Sequence, residues 1–242
     1  MSGLSAHCPS TTRTVWSQTG THPFPLARGP TPSDEDGGPN EQALVTYSTD
    51  GGDHFVPPFN ASPAGDRPDF PAIAISPDGT DAYLTYDNFQ QPWQSSTLTP
   101  RLMQGVVRHA DVAEDCSIGA FSDLHRAPDG DARGSSQNNL AAGFLGDYNY
   151  AVATRDYGAA VWNDVRNAAD CPATDTYRQE LVDAVLAGSA EPREEDLPEV
   201  RNEVRDKPEE EEEPEPPAVQ QEAPANFGNS DIYGGSYADP TP

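Results

Sequence analysis

Six residues whose side chains could act on or bind a ligand stand near the ends of predicted strands or in a long polar loop. Three of them can exchange a proton or attack an electrophile and three are arginines: Asp69, Tyr148, Asp164, Arg67, Arg133 and Arg166. A planar guanidinium pairs bidentately with a carboxylate, so the arginines suit an anionic ligand. Turns favour aspartate, and a structural role at a turn or strand edge is the favoured alternative for each position.

Two predicted β-hairpins position these side chains. In the first, Pro77-Asp78-Gly79 lies between the β-rich runs 70–75 and 82–86, which is a strong hairpin signal. The second joins 148–154 to 159–164. Further strands are predicted at 43–47 and 105–110, a weak one at 117–121, and a long loop at 122–140. The pattern predicts an all-β domain.

One short helix is predicted after the hairpins. Five residues share one helical face: Tyr177, Leu181, Val182, Val185 and Leu186. Asp175 or Thr176 could cap this helix and Gly188 could end it, and a closing strand is the alternative. Of the three cysteines, Cys116 and Cys171 are the favoured pair if a disulfide forms, because both lie in the patterned region.

Composition divides the chain and limits its partners. Residues 1–40 are predicted to be a flexible arm, 41–190 the folded domain with its C-terminal helix, and 191–242 an acidic, Pro/Glu-rich disordered tail. The net charge of −26 disfavours binding to nucleic acid or anionic lipid. No apolar run reaches the length of a membrane span.

Neither a metal site nor a cofactor is predicted. The chain has no Cys-x-x-Cys, its histidines lack the spacing typical of metal ligands, and no glycine-rich phosphate loop precedes a helix. The N-terminus lacks the pattern of a secretion signal, so the chain as written is expected to be cytoplasmic.

The segment from Ser48 to Phe55 fits the pattern Ser-x-Asp-x-Gly-x-x-aromatic. Asp50 can accept backbone N–H groups across the turn, Gly52 can supply a positive φ, and Phe55 is expected to re-enter the sheet and pack beneath it. This spacing resembles the Asp-box, or BNR repeat, of the sialidase superfamily. In that family the Asp-box is a structural motif, so here it indicates fold rather than chemistry.

The two hairpins also resemble paired strands of sialidase-type propeller blades. In the second hairpin the resemblance extends to its end, Trp162-Asn163-Asp164-Val165-Arg166. The resemblance implies a six-bladed type of ring, of which the patterned region supplies about two to three blades. We therefore expect a fragment of a longer protein that is extracellular when complete, or a chain whose ring another chain closes.

The resemblance implies a glycoside hydrolase acting on terminal sialic acid or a related glycan. Sialidases are retaining enzymes with a tyrosine nucleophile, which a neighbouring Glu activates, an acid/base Asp, and three arginines that hold the substrate carboxylate. The resemblance therefore makes Asp69, Tyr148 and Asp164 catalytic candidates and the three arginines substrate-binding candidates. No Tyr–Glu pair can be assigned, and the Phe/Tyr-Arg-Ile-Pro motif of many sialidases is absent. The alternative is a non-catalytic propeller module that binds glycans or proteins.

Overall fold

The structure, a computed structural model, describes residues 16–19, 41–50, 52–92, 94, 96–135, 145, 148–189 and 217–241. These residues form three antiparallel sheets, two α-helices and one short 3-10 helix, and the predominance of antiparallel strands confirms the all-β prediction. The first sheet has the order β1-β2-β3 and consists of β1 (Trp16–Thr19), β2 (Ala43–Thr46) and β3 (Phe59–Asn60). The predicted run at 43–47 is therefore a strand.

The second sheet is a meander that follows chain order. It contains β4 (Arg67–Ile75), β5 (Asp81–Phe89), β6 (Leu102–Asp111) and β7 (Ser122–Arg126), with β8 (Gly130–Asp131) pairing the other end of β6. The β4–β5 hairpin turns at Gly79, whose φ is 78°. The strands predicted at 70–75, 82–86 and 105–110 are present, and each extends further than its prediction.

The third sheet has the order β11-β10-β9, with β9 (Tyr150–Ala153), β10 (Tyr157–Asp164) and β11 (Asp231–Ala238). Between β10 and β11 lie α1 (Pro172–Ser189) and α2 (Val219–Glu222). The predicted helix is thus confirmed, but it begins before both proposed caps: the Asp175 N–H donates to the Cys171 carbonyl in its first turn. Pro172 suits that first turn because an N–H there would have no partner within the helix.

Strand β11 corrects the prediction of disorder for the end of the chain. Residues 231–238 pair with β10 along its whole length, and Tyr233 and Tyr237 pack on the buried cluster that contains Val107 and Trp162. The segment is too rich in glycine to be recognised as a strand on its own, and the neighbouring strand and core stabilise it. The acidic segment 191–216 and the predicted arm, apart from β1, lie outside the described residues.

Two predictions between 117 and 140 are wrong, one of a strand and one of a loop. The weak strand at 117–121 is reduced to an isolated bridge between Val112 and Ile118. The predicted loop at 122–140 begins with β7, a polar strand that pairs β6 at the edge of the sheet. Its polarity misled the prediction, because edge strands commonly carry charged side chains.

The second sheet lies between the other two. Strand β4 contacts both β1 and β9, the first strand of each neighbouring sheet. Leu84, Tyr86 and Val106 pack against Ala43 and Val45 of the first sheet. The opposite faces of β5 and β6 pack against β10, so β5 is buried on both faces, as its continuous burial from Asp81 to Asn88 shows.

Two glycines determine how closely the second and third sheets approach. The Trp162 indole covers Gly105, and the Tyr83 ring covers Gly158. At each position a Cβ atom would overlap the facing ring. The side chains of Tyr83 and Trp162 are almost completely buried as a result.

We predict that Gly105→Ala lowers the free energy of unfolding by about 1–3 kcal/mol, because the new methyl group must displace the Trp162 ring from a filled interface. Urea denaturation followed by far-UV circular dichroism measures the change. Ser236→Ala, a substitution on the outer face of β11, is the control and should leave the midpoint unchanged. Equal stability of Gly105→Ala and the wild-type protein would contradict this packing.

Candidate functional site

Two carboxyl groups meet at one end of the interface between the second and third sheets. Asp69 on β4 and Asp87 on β5 are partners in the strand register. We call them the carboxyl pair. Asn149, immediately before β9, and Asn163, near the end of β10, lie close enough to Asp87 to favour its charged form. Four sequence-distant segments therefore converge here because the sheets stack.

Asp87 is completely buried, and neither of its carboxylate oxygens has a hydrogen-bond partner. Burial raises its pKa to about 8; the nearby Asn149 amide opposes that rise and the charge of Asp69 adds to it. A buried, unpartnered carboxylate is costly, so the group holds its proton at neutral pH instead. Asp87 is therefore a neutral acid beside Asp69.

Asp69 lies on an irregular stretch of β4. The register with β5 shifts between Asp69 and Ala72, and Phe70 has a positive φ of 48°. The Phe70 N–H donates to Asp69 Oδ1 at 3.0 Å. Bulges and strained residues of this kind occur next to functional sites, where they re-aim a side chain.

The Asp69 side chain is partly accessible, unlike that of Asp87. Burial raises the pKa of Asp69, the Phe70 N–H opposes that rise, and the charge of Glu41 adds to it. Asp69 can thus meet a ligand while Asp87 keeps a proton behind it. Two carboxyl groups with different exposure and raised pKa values are suited to general acid–base work.

Asp164 is near this pair but is engaged by other side chains. Its carboxylate accepts from Arg166 Nε at 2.8 Å, Arg166 Nη2 at 2.5 Å and Trp162 Nε1 at 3.1 Å. Burial raises its pKa, but these hydrogen bonds outweigh burial and hold the pKa below its ordinary value. The Arg166 guanidinium also lies 4.0 Å from the centre of the Tyr233 ring. Both residues therefore support the end of β10.

The other two predicted arginines differ from each other. Arg133 lies beside α1, where it pairs with Asp131, Asp170 and Asp175 at 2.8, 3.2 and 3.0 Å. Arg67 is two residues from Asp69 on β4, and its Nη1 donates to the backbone carbonyls of Gly65 and Gln90. Within the described residues Arg67 makes no ion pair, and its buried Nε has no hydrogen-bond partner.

Tyr148 lies just before β9, with 69% of its surface exposed. Its ring stacks on that of Tyr150, with 6.4 Å between ring centres. In the part of the chain that the structure describes, no hydrogen bond links its hydroxyl to a carboxylate. The neighbouring Asp147 lies outside the described residues.

The Asp-box turn joins β2 to β3 and has the predicted hydrogen bonds. Asp50 Oδ1 accepts from the His54 N–H at 2.9 Å and from the Ser48 hydroxyl at 2.7 Å, and Gly52 has a φ of 100°. The hydrogen bond from the His54 backbone N–H lowers the pKa of Asp50 most, and that from the Ser48 hydroxyl lowers it next. The expectation for Phe55 is wrong: its side chain is 44% exposed, and Phe59 packs against the core instead.

The favoured disulfide is also wrong. Cys171 is a buried free thiol, whereas Cys116 is disulfide-bonded. Cys171 immediately precedes α1, where its carbonyl accepts the first helical hydrogen bond. Position within the patterned region was therefore no guide to pairing.

Sequence reasoning missed one member of the carboxyl pair, Asp87, and the two asparagines next to it. Asp87, Asn149 and Asn163 are in or next to predicted strands, where polar residues at strand ends normally face solvent. The signal in the sequence was the alternation of side chains between the two faces of a strand, which places Asp87 on the same face as Asp81, Tyr83 and Thr85. That whole face of β5 is buried. A second missed group, Asp81, His109 and Asp239, lies at the opposite end of the same interface.

An open cleft of about 630 Å³ lies between the first and second sheets, away from the carboxyl pair. Tyr47, Phe59 and Phe121 are among its lining residues, and none of the predicted site residues lines it. The cleft therefore adds no chemistry to that of the pair.

The comparisons identify no relative: no family model, curated protein or solved structure matches the chain. Among the described residues, no helix combines the length and apolar character needed to cross a membrane.

We predict that Asp87→Asn gains stability relative to wild type as pH rises. Asp87 has a higher pKa when folded than its ordinary value of about 4, so its protonation stabilises the fold most at low pH, and this contribution is lost as pH rises to about 8. The loss is at most about 1.4 kcal/mol per pH unit. Thermal melts from pH 4 to pH 9 measure the difference between the two proteins.

Asp164→Asn is the matched control, because the pKa of Asp164 is lowered by folding. Its charged form stabilises the fold near neutral pH, so this variant should lose stability relative to wild type as pH rises from acid. A constant difference in melting temperature between Asp87→Asn and wild type across the range would contradict the neutral state of Asp87.

Proposed function

We propose that the chain is part of a sialidase-type β-propeller glycoside hydrolase that acts on terminal sialic acid or a related acidic glycan. The observation that carries this proposal is the carboxyl pair, in which accessible Asp69 lies beside neutral, buried Asp87. Glycoside hydrolysis needs a group that can donate a proton to the leaving oxygen at neutral pH.

The arrangement of the sheets supports the propeller part of the proposal. A blade has four antiparallel strands, and the second sheet has that meander. Its first strand lies against the first strand of both neighbouring sheets, as the inner strands of successive blades would. The Asp-box hydrogen bonds agree with the same family.

The third sheet also supports a larger assembly. Its outer face exposes Tyr150, Val152, Val161 and Ile232, an apolar set on the side away from the second sheet. A contiguous exposed apolar face of this kind marks an interaction surface. In the proposed ring, further blades or another chain would cover it.

The proposed chemistry assigns separate roles to three residues. Protonated Asp69 gives its proton to the glycosidic oxygen as the bond from that oxygen to the anomeric carbon breaks. Arg67 contacts the substrate carboxylate, and Tyr148 is the candidate nucleophile: its oxygen attacks the anomeric carbon while its hydroxyl proton passes to solvent, to which the side chain is exposed. Asp69 then takes a proton from a water molecule, whose oxygen bonds to the anomeric carbon as the bond to Tyr148 breaks. Asp69 is thereby reprotonated, and the released tyrosinate takes up a proton from solvent.

One observation favours the alternative, a non-catalytic module that binds glycans or proteins. Arg133 and Arg166 are paired with carboxylates of their own chain, so a three-arginine clamp for a substrate carboxylate is not assembled among the described residues. On this alternative, Arg67 and the aromatic side chains near β9 would bind a ligand without cleaving it.

We predict that the chain hydrolyses a fluorogenic sialoside and that Asp69→Asn lowers kcat about 10²–10⁴-fold with little change in KM, because the amide cannot donate the proton. Asp53→Asn, the same substitution in the exposed Asp-box turn, should keep full activity. Arg67→Lys should raise KM, because a lysine cannot form the bidentate contact.

The wild-type protein decides between the two functions. Absence of turnover by a folded sample would contradict hydrolysis by this chain. If that sample also binds sialic acid, and Arg67→Ala abolishes the binding in isothermal titration calorimetry, the binding module is supported.

A further inference from the structure

A histidine and two aspartates converge at the end of the sheet interface opposite the carboxyl pair. His109 Nε2 on β6 is 2.9 Å from Asp81 Oδ1, at the start of β5, and 4.0 Å from Asp239 Oδ1, just beyond β11. One donor atom from each residue lies within 4.8 Å of the others. We call these three residues the His109 cluster.

The cluster is enclosed by the packed sheets. The side chains of His109, Asp81 and Asp239 are 3%, 4% and 13% exposed. The Tyr83 ring lies 5.0 Å from the imidazole, centre to centre. Donor atoms that are held together away from water can retain a cation more firmly than flexible carboxylates at the surface.

The charge around His109 is unbalanced. Two carboxylates face the same ring nitrogen, which carries at most one hydrogen. A third carboxylate, that of Asp111, is the register partner of Asp81 and accepts from the Thr241 hydroxyl, which also bonds Asp239. Within the described residues, no arginine or lysine forms an ion pair with any of these aspartates. A bound divalent cation would balance this charge.

We propose that Asp81, His109 and Asp239 bind a divalent transition metal of the zinc class. Zinc accepts imidazole nitrogen and carboxylate oxygen at about 2.0–2.2 Å, whereas calcium and magnesium take oxygen ligands. Two such donors around a tetrahedral ion are about 3.4 Å apart. The observed 2.9 and 4.0 Å lie on either side of that separation, so small side-chain shifts would place three protein donors around the ion and leave the fourth position to water.

The metal would have a structural role. Asp239 directly follows β11, whereas Asp81 and His109 belong to the second sheet. Coordination would therefore hold the end of β11 on the neighbouring sheet, after the chain has left β10 through α1 and the acidic segment. The site lies away from the carboxyl pair, so it is independent of the proposed hydrolase activity.

The test measures zinc binding to the whole chain by isothermal titration calorimetry after treatment with a chelator. We expect one tight site, a raised melting temperature with zinc, and no displacement by a large excess of calcium. His109→Gln and Asp239→Asn should each weaken that site at least tenfold. His125→Gln and Asp231→Asn are matched controls at the same interface and should bind zinc normally.

Cobalt provides a second readout that does not depend on stability. Visible absorption by Co²⁺ in a four- or five-coordinate nitrogen and oxygen site should appear with the wild-type chain and disappear with Asp239→Asn, whose fold is checked by circular dichroism. Absence of a stoichiometric site would overturn the proposal. Equal zinc affinity in Asp239→Asn and wild type would also overturn the proposal, and would indicate that the acidic segment binds the zinc instead.

Discussion

The close packing of the third sheet on the second is the constraint on which the other features depend. Gly105 admits the Trp162 ring and Gly158 admits the Tyr83 ring, so the two sheets approach until β5 and β6 are covered on both faces. Without that approach, Asp87 would face water, Asn149 and Asn163 would be distant from it, and Asp239 would not reach His109. The interface thus creates both polar clusters.

The two ends of this interface resolve buried charge differently. At one end, Asp87 has no hydrogen-bond partner and keeps a proton. At the other, Asp81 and Asp239 both face His109, and we infer a cation. Buried polar groups reduce stability unless they are compensated. The uncompensated burial of Asp87 coincides with the positive φ of Phe70 next to Asp69, and this coincidence supports the proposed role of Asp69.

Local patterns predicted the local structure well. Pro77-Asp78-Gly79 indicated the β4–β5 hairpin, and the spacing of Tyr177, Leu181 and Val182 indicated α1, because both signals depend on neighbouring residues. Strand β11 was missed because its stability comes from β10, a strand more than sixty residues earlier. Asp69 and Arg67 were recognisable at a strand start, but Asp87 was not, since its burial depends on a sheet formed by distant residues. Cysteine spacing carried no information about geometry, and the predicted Cys116–Cys171 pair failed for that reason.

The packed sheets bury Asp87 as a neutral acid next to Asp69, and the proposed chemistry depends on that state. The most direct measurement is the side-chain carboxyl ¹³C chemical shift of Asp87, followed by NMR as a function of pH, with Asp87→Asn used to assign the signal. The structure predicts a titration midpoint near 8, far above that of an ordinary aspartate. A midpoint near 4 would contradict the burial of Asp87, and with it the carboxyl pair and the chemistry proposed for Asp69.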